Sequence, residues 1–299
     1  MKNRIKVAVI GSGNIGIDLC ERILRDDRFD LLAVIGRRPD SEGLIRFENR
    51  VKSTLSSSEE SLKQIIDQVD GIFDATSAFD HEAHWKIVQG SKKWVIDLTP
   101  SKIGAPMSPV LNGLVPEIQI QKSKVANYSM VTCGGQSSAP LLHAITSGVN
   151  RILEVEVSSS IASLSAGPAT RKNIDNYVNT TRNLASLITK CENAKAILVL
   201  NPAEPPVMMR TTVQAKAQDI DLMKINATLE INVNKVKSYV PGYKITVLPN
   251  ISSKDVVTIT AMVEGAGYYL PKYAGNLDII NAAAIETAVL HEYEIQEKL

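Results

Sequence analysis

The sequence has 299 residues, of which 44% are hydrophobic and 22% are charged. These values are ordinary for a globular protein, and the length is typical of two domains. Lys and Arg total 33 against 32 Asp and Glu, so we expect neither nucleic acid nor a membrane surface as a partner. The apolar runs fall far short of the roughly 20 residues that span a bilayer. The three cysteines and four histidines are widely separated, so we expect no metal site and no disulfide framework. We therefore expect a cytoplasmic protein with reduced thiols.

The first half of the chain alternates short β-branched segments with helical patterns. The predicted strands are Ile5–Ile10, 31–35, Gly71–Asp74, 93–98 and 129–132, and the predicted helices are 15–24, 61–69 and 81–88. Strands that alternate with helices are typical of a parallel sheet covered on both faces. This half therefore predicts a Rossmann-type domain.

The second half has longer strands in which apolar and polar residues alternate. The predicted strands are 152–161, 207–216, 243–248 and Val256–Val263, and the predicted helices are 173–190, 219–236 and 276–297. Long amphipathic strands with few helices indicate an α+β domain with a mainly antiparallel sheet. We predict a dinucleotide-binding domain at 1–136 with 276–299, and a catalytic and dimerisation domain at 137–275.

A glycine-rich loop follows the first predicted strand and opens the first predicted helix. In the dinucleotide fingerprint, Gly11 allows the tight turn, Gly13 lets a pyrophosphate approach the backbone, and Gly16 lets helix and strand pack closely. A plain glycine turn is the alternative. The predicted cofactor contacts in this loop are Gly11, Ser12, Gly13, Asn14, Ile15 and Gly16.

The end of the second predicted strand bears on the choice of cofactor. NAD-binding domains use an acidic residue there for the ribose 2′-hydroxyl, whereas this sequence has Arg37 and Arg38. A guanidinium group binds a 2′-phosphate, so we predict NADP in preference to NAD. Two alternatives stay open: Asp40 folds back as an NAD ligand, or the arginines form a solvated turn.

Cys133 ends a predicted strand and precedes a predicted helix at 141–147, with Pro140 in the first turn. A helix N-terminus stabilises a thiolate, so this position predicts a lowered thiol pKa. The two glycines that follow predict backbone N–H groups free to face an oxyanion. The alternative is a buried cysteine with a packing role, which is our interpretation of Cys20 and Cys191.

Seven motifs in this sequence resemble those of the acylating acetaldehyde dehydrogenases, in the same order along nearly the whole chain. They are 11–16 (GSGNIG), 73–78 (FDATSA), 96–100 (IDLTP), 131–136 (VTCGGQ), 165–171 (SAGPATR), 201–206 (NPAEPP) and 273–279 (YAGNLDI). The resemblance implies an architecture like that of glyceraldehyde-3-phosphate dehydrogenase.

The resemblance also implies a reaction and its partners. Cys133 would form a thiohemiacetal with an aldehyde, hydride would pass to NAD(P), and coenzyme A would take the acyl group from the thioester, or the reverse. A homodimer and an aldolase partner that supplies the aldehyde are further implications. Besides Ser12–Ile15, the resemblance assigns the cofactor contacts Ser165, Ala166, Gly167, Pro168, Ala169, Thr170, Arg171, Lys172, Asn173 and Asn276.

Two positions depart from the family pattern. Arg38 stands where the family usually has an acid, and Thr211 replaces an aspartate that is a candidate base near the cysteine. His81 and His84 are other candidate bases, although solvated residues on a helix face are the simpler interpretation. Two alternative functions therefore stay open: a coenzyme A-independent, NADP-dependent semialdehyde dehydrogenase, and a non-catalytic nucleotide-binding partner of an aldolase.

Overall fold

A computed structural model describes residues 4–56, 58–252 and 255–296. The chain forms two compact units. The first comprises Met1–Pro109, Pro116–Met130 and Ala284–Leu299, and the second comprises Val110–Val115 and Val131–Ala283. No helix among the described residues is long and apolar enough to cross a membrane.

The first unit is built on a parallel sheet. Within the described residues, its seven strands are β1 (Ile5–Ile10), β2 (Phe29–Gly36), β3 (Ser53–Ser56), β4 (Gly71–Asp74), β5 (Trp94–Asp97), β6 (Ala105–Met107) and β7 (Ala126–Met130). Their order is β3-β2-β1-β4-β5-β7-β6, and each neighbouring pair is parallel. The helices between these strands are α1 (Asn14–Ile23), α2 (Glu42–Phe47), α3 (Ser58–Ile65) and α4 (Ala78–Gly90).

The core of this unit consists mainly of β-branched and other aliphatic side chains from the central strands. Ala8, Ile10, Ile35, Ile72 and Val95 are fully buried in one cluster. The strand order reverses beside β1, because the chain runs outward to β3 and then returns to β4 on the other side. In doubly wound sheets, ligands bind at the carboxyl ends of the strands at this reversal.

The second unit has a mixed sheet of five strands among the described residues. They are β8 (Arg151–Ala162), β9 (Ala194–Asn201), β10 (Met209–Gln218), β11 (Tyr243–Ser252) and β12 (Val256–Val263), in the order β11-β12-β10-β8-β9. Only the β8–β9 pair among them is parallel. The remaining helices are α5 (Cys133–Ser147), α6 (Pro168–Lys172), α7 (Ile174–Thr189), α8 (Leu222–Lys237) and α9 (Gly275–Gln296).

Helices α5, α7 and α8 pack against one face of this sheet. Along β10, buried and more exposed residues alternate, which is the pattern of a sheet with one covered face. The predicted fold class, a Rossmann-type parallel-sheet domain with a mainly antiparallel α+β domain, is confirmed.

Two local predictions were wrong. Helix α5 begins at Cys133, not near residue 141, and Pro140 lies inside the helix. The glycine pair after Cys133 resembled a loop, but Thr132 caps the helix by accepting a hydrogen bond from the backbone N–H of Gly135, at 2.9 Å. Strands β3, β6 and β9 were not predicted, although the Ala-Ile-Leu-Val-Leu run of β9 is typical of a strand.

Candidate active site

A cleft of about 540 Å³ lies at the carboxyl ends of β1 and β2 in the first unit and is lined by the glycine loop. Gly11 has a φ of +115°, which favours glycine, and a Cβ there would overlap the Ala75 carbonyl. A Cβ on Gly16 would overlap the Gly11 carbonyl, whereas a Cβ on Gly13 would point into open space. The loop therefore requires glycine at positions 11 and 16 and leaves room for a ligand beside Gly13.

Helix α1 begins at Asn14, with Gly13 as its N-cap and neither a capping side chain nor an acidic residue in its first turn. A helix N-terminus with these properties attracts an anion through its dipole. The cleft and the loop thus fit the pyrophosphate of a dinucleotide. Ser12 and Ile15 complete the predicted contact segment, and Ser12 lines the cleft.

Arg37 and Arg38 follow β2 and line the same cleft. Arg37 forms an ion pair with Asp80 at 3.0 Å, and Arg38 forms one with Asp40 at 3.7 Å. Both guanidinium groups are exposed, and exposed ion pairs contribute about 0–1 kcal/mol. An incoming phosphate can therefore replace these carboxylates at little cost. Asp40, the ion-pair partner of Arg38, lines the same cleft.

His81 and His84 are buried, so their interpretation as solvated residues was wrong. Their Nδ1 atoms lie 2.9 Å and 2.8 Å from the same Asp74 carboxylate oxygen, and His81 Nε2 lies 3.6 Å from Asp97. Burial lowers the pKa of His81, but the hydrogen bond with Asp74 and the charge of Asp97 outweigh it and raise the pKa. The Asp74 carboxylate forms hydrogen bonds with both histidines, which indicates that His81 and His84 have a structural role at the end of β4.

Cys133 is the first residue of α5 in the second unit and is partly buried. The predicted lowering of its pKa was wrong. Burial raises the pKa of the thiol to about 11, although the backbone N–H of Gly134 and the phenol of Tyr177 act in the opposite direction. In the described part of the chain, none of the groups that shift this pKa is a carboxylate or an imidazole.

The expected pair of free N–H groups after Cys133 is only partly present. The N–H of Gly135 donates to Thr132 Oγ1 as the helix cap and is therefore engaged. The N–H of Gly134 interacts with the Cys133 thiol. Gly134 itself is required by close packing, since a Cβ there would overlap the Tyr177 hydroxyl.

Thr211 lies on β10, directly opposite Ser159 on β8. Both side chains are fully buried, and their hydroxyl oxygens are 3.1 Å apart. Thr211 is therefore part of a network of hydroxyl groups. Tyr177 and Ser159 were not identified from the sequence, because a tyrosine on a helix and a serine on a strand have no local signature of function.

A single turn of 3-10 helix, Ser163–Ser165, leads into the loop at 165–173, which contains α6. The guanidinium of Arg171 donates hydrogen bonds to the carbonyls of Ala166 and Ser163, at 3.0 Å and 2.9 Å. Arg171 therefore shapes this loop. Gly167 is the N-cap of α6, and Asn173 joins α6 to α7.

The other predicted contacts around α6 and α9 differ in their surroundings. Thr170 is partly buried and Lys172 is exposed, while the side chains of Pro168 and Ala169 lie outside the described residues. Asn276, in the first turn of α9, is buried, and its Oδ1 has no hydrogen-bond partner among the described residues. A buried amide oxygen without a partner is costly, which fits a site that a ligand completes.

Residues 133–271 match a family model described as prokaryotic acetaldehyde dehydrogenase, dimerisation. An acetaldehyde dehydrogenase of Burkholderia thailandensis is 44% identical to this chain over 96% of both sequences. One of Pectobacterium atrosepticum is 42% identical over 95% of both. The chain belongs to the acetaldehyde dehydrogenase family.

The crystal structure of aspartate semialdehyde dehydrogenase II from Vibrio cholerae, complexed with ASA, matches with a TM-score of 0.65. The match covers 97% of this chain and 99% of that chain at 16% identity, so it supports the fold alone. As a member of the acetaldehyde dehydrogenase family, the protein is an oxidoreductase, and both the predicted family and the predicted enzyme class are confirmed. The match to a dimerisation model also supports a homodimer.

Proposed function

We propose that this protein is an acylating aldehyde dehydrogenase that interconverts a small aldehyde and its acyl-CoA, with NADP preferred to NAD. The observation that carries this proposal is the position of Cys133, a thiol at the first residue of a capped helix in a member of this family. The proposed domains are those predicted from the sequence, a dinucleotide-binding domain at 1–136 with 276–299 and a catalytic and dimerisation domain at 137–275, with Cys133 just before the start of the second.

In the proposed mechanism, the Cys133 thiol loses its proton, and its sulfur adds to the aldehyde carbon to form a thiohemiacetal. The addition is needed because the carbon must become tetrahedral before hydride departs. NAD(P) supplies the hydride acceptor when it is bound. The Cys133 sulfur then carries the acyl group as a thioester, and attack by the coenzyme A thiol releases acyl-CoA and returns Cys133 to its starting form.

The residues proposed to hold the dinucleotide are those predicted from the sequence. The glycine loop and the start of α1 would bind the pyrophosphate, since the cleft is open beside Gly13. The unpartnered amide oxygen of Asn276 would accept a hydrogen bond from the cofactor. The segment 165–173, shaped by Arg171, is a further contact region.

The proposed preference for NADP rests on Arg37 and Arg38. Their guanidinium groups line the cleft and have only exposed carboxylates as partners. A dianionic phosphate competes well with such partners, because bidentate guanidinium–phosphate hydrogen bonds are stronger than exposed carboxylate pairs. A reaction of this kind also requires a reduced thiol, so we propose a cytoplasmic location.

We also propose an aldolase as the partner that supplies the aldehyde. This proposal rests on the family resemblance of motifs 131–136 and 201–206. It predicts that a purified aldolase from the same cell would form a complex with the protein, detectable by co-elution in size-exclusion chromatography.

The reaction can be tested by following absorbance at the nicotinamide band with purified protein, small aldehydes, NADP or NAD, and coenzyme A. We expect turnover that depends on coenzyme A, and a loss of roughly 10³-fold or more in Cys133→Ala, because the nucleophile is removed. Cys191→Ala is the matched control, since this buried thiol is not proposed to react, and it should retain activity.

Three outcomes would contradict the proposal. Turnover that is undiminished in Cys133→Ala would exclude the thiohemiacetal. Turnover without coenzyme A would instead support the semialdehyde dehydrogenase alternative, in which water or phosphate releases the acyl group. Dinucleotide binding without turnover of any aldehyde would support a non-catalytic role.

A further inference from the structure

Three buried hydroxyl groups form a cluster next to Cys133 that the mechanism above does not use. They belong to Tyr177 on α7, Ser159 on β8 and Thr211 on β10. Ser159 and Thr211 have no exposed surface, and Tyr177 is 9% exposed. Thr211 occupies the position at which the family resemblance implied an aspartate, so this cluster stands where a carboxylate base was expected.

The Tyr177 hydroxyl is packed against the first turn of α5. A Cβ on Gly134 would overlap this hydroxyl and would lie 2.8 Å from Ser159 Oγ. Both groups therefore adjoin the backbone of the residue that follows Cys133. Within the described residues, the Tyr177 hydroxyl has no hydrogen-bond partner of normal geometry, although it is buried. A buried hydroxyl without a partner is destabilising, so its proton is available to an acceptor that appears nearby.

Other contacts fix the position of the phenol. Thr181, one turn later on α7, donates a hydrogen bond to the Tyr177 carbonyl at 2.9 Å. The Thr181 hydroxyl also lies 2.6 Å from that of Thr132, the cap of α5. The turn of α7 that carries Tyr177 is thereby tied to the start of the helix that carries Cys133.

We propose that Tyr177 donates a hydrogen bond to the sulfur of Cys133 once the thiol has lost its proton, and so stabilises the thiolate in the absence of an aspartate at position 211. This inference rests on the proposed function, in which Cys133 is the nucleophile. The thiol proton leaves to water, and the phenol keeps its own proton. In this proposal Tyr177 contacts the reacting sulfur, and Ser159 and Thr211 act as positioning residues behind it.

The electrostatics of the cluster agree with this role. Burial holds the pKa of Tyr177 well above its usual value, so the phenol stays protonated and can act as a donor. Burial also raises the pKa of Cys133, and the Tyr177 phenol is the only side chain that opposes this effect in the described part of the chain. A donor at a buried thiolate is effective because charge-assisted hydrogen bonds are stronger than neutral ones.

The test is the rate of Cys133 alkylation by iodoacetamide in the cofactor-free protein between pH 7 and 10, followed by mass spectrometry of the Cys133 peptide. Only the thiolate reacts, and the pKa of Cys133 is about 11, so the rate should rise about tenfold per pH unit over this range. Tyr177→Phe removes only the hydroxyl. We expect this variant to react about tenfold more slowly at each pH, because a hydrogen bond to a charged group is lost.

Tyr243→Phe is the matched control. The Tyr243 hydroxyl is also buried and also binds α5, through the Ser137 carbonyl at 2.8 Å, but it does not affect the pKa of Cys133. We expect its alkylation profile to lie within about twofold of the wild type. Alkylation of the buried Cys20 and Cys191 in the same samples reports any general opening of the fold.

An unchanged or faster reaction of Cys133 in Tyr177→Phe would overturn the inference. If that variant does not fold, Ser159→Ala provides the second test, because Ser159 lies beside the Tyr177 hydroxyl and its loss leaves the phenol less well positioned. A decrease of about threefold would support the inference, and no decrease would overturn it. The measurement needs neither aldehyde nor coenzyme A, so a failure of the proposed function appears separately, as absent turnover in a protein whose Cys133 reacts as expected.

Discussion

At the scale of single residues, the chemistry of the second unit depends on the two neighbours of the Cys133 thiol. Thr132 fixes the start of α5 by capping it, and Gly134 has no side chain, which allows Tyr177 to approach. The helix N-terminus alone does not make the thiol acidic, because burial raises its pKa to about 11. Burial is a property of the surrounding packing, so the sequence motif predicted the nucleophile but gave the wrong direction for its pKa.

The preference for NADP can be tested at a single residue. In Arg38→Asp we expect the dissociation constant for NADP to rise by roughly ten- to a hundredfold, because a charge-assisted hydrogen bond worth about 1.5–3 kcal/mol is lost and a like charge is introduced. Affinity for NAD should rise, because the new carboxylate can accept a hydrogen bond from the ribose 2′-hydroxyl. Calorimetric titration with both dinucleotides measures this.

Arg4→Asp is the control for this substitution, since it makes the same change of charge at another exposed arginine outside the cleft. Its affinities should match those of the wild type. A wild-type protein that prefers NAD, with no change in Arg38→Asp, would refute the role of the arginines.

At the scale of elements, the glycines between β1 and α1 have two different roles, one in packing within the unit and one in leaving space for a ligand. Gly16 meets the Gly11 carbonyl within the unit itself, whereas Gly13 faces open space in the cleft. The two glycines are therefore required for different reasons. This distinction rests on distances that are not visible in the sequence pattern.

Two alanine substitutions test this distinction. We expect Gly16→Ala to lower the free energy of unfolding by about 1–3 kcal/mol, because its Cβ has no room. The backbone at Gly13 is extended, with φ −89° and ψ −176°, and alanine adopts this conformation without strain. We therefore expect Gly13→Ala to change the free energy of unfolding by less than about 0.5 kcal/mol. The variant should weaken dinucleotide binding at least about tenfold, because the new Cβ fills the space for the pyrophosphate.

Chemical denaturation and calorimetric titration of both variants measure these effects, and each variant is the control for the other. Equal losses of stability in the two variants would contradict the assignment of Gly13 to ligand binding. Unchanged dinucleotide affinity in a folded Gly13→Ala protein would have the same consequence.

At the scale of the whole molecule, the sheet face opposite α5, α7 and α8 is the surface on which we expect the second copy to bind. A row of residues crosses this face from β9 to β11: Ile197, Ser158, Thr212, Thr260 and Val247 pair in register across all five strands. Ile197 and Val247 are 42% and 40% exposed. This row consists of small polar side chains flanked by exposed aliphatic ones and contains no charged residue, which suits burial against a second copy.

The dimer surface can be tested by placing a charge on it. We expect Ile197→Asp to weaken the dimer at least about a hundredfold, because an unpaired carboxylate buried at an interface costs several kcal/mol. Light scattering coupled to size-exclusion chromatography would then give the mass of a monomer. Met223→Asp on α8, at a position that is 85% exposed, is the control and should remain dimeric. A dimeric Ile197→Asp protein would exclude this face.

Local pattern was sufficient to predict most elements of the chain. Ile5–Ile10, Gly71–Asp74 and Val256–Val263 have the predicted bounds, because β-branched residues and turn residues at their ends act locally. The start of α5 was missed, since two glycines weaken a helix in isolation and only the packing of the buried face of α5 stabilises it.

The sequence by itself determined the fold class and the family and predicted a nucleophile, because periodicity, glycine spacing and long motifs are properties of neighbouring residues. The tertiary structure alone decided the environment of those residues: the burial of the Cys133 thiol, the binding of His81 and His84 to Asp74, and the meeting of Tyr177, Ser159 and Thr211. These residues come from separate strands and helices. Their pKa values and hydrogen bonds depend on distances across the fold, which no local pattern encodes.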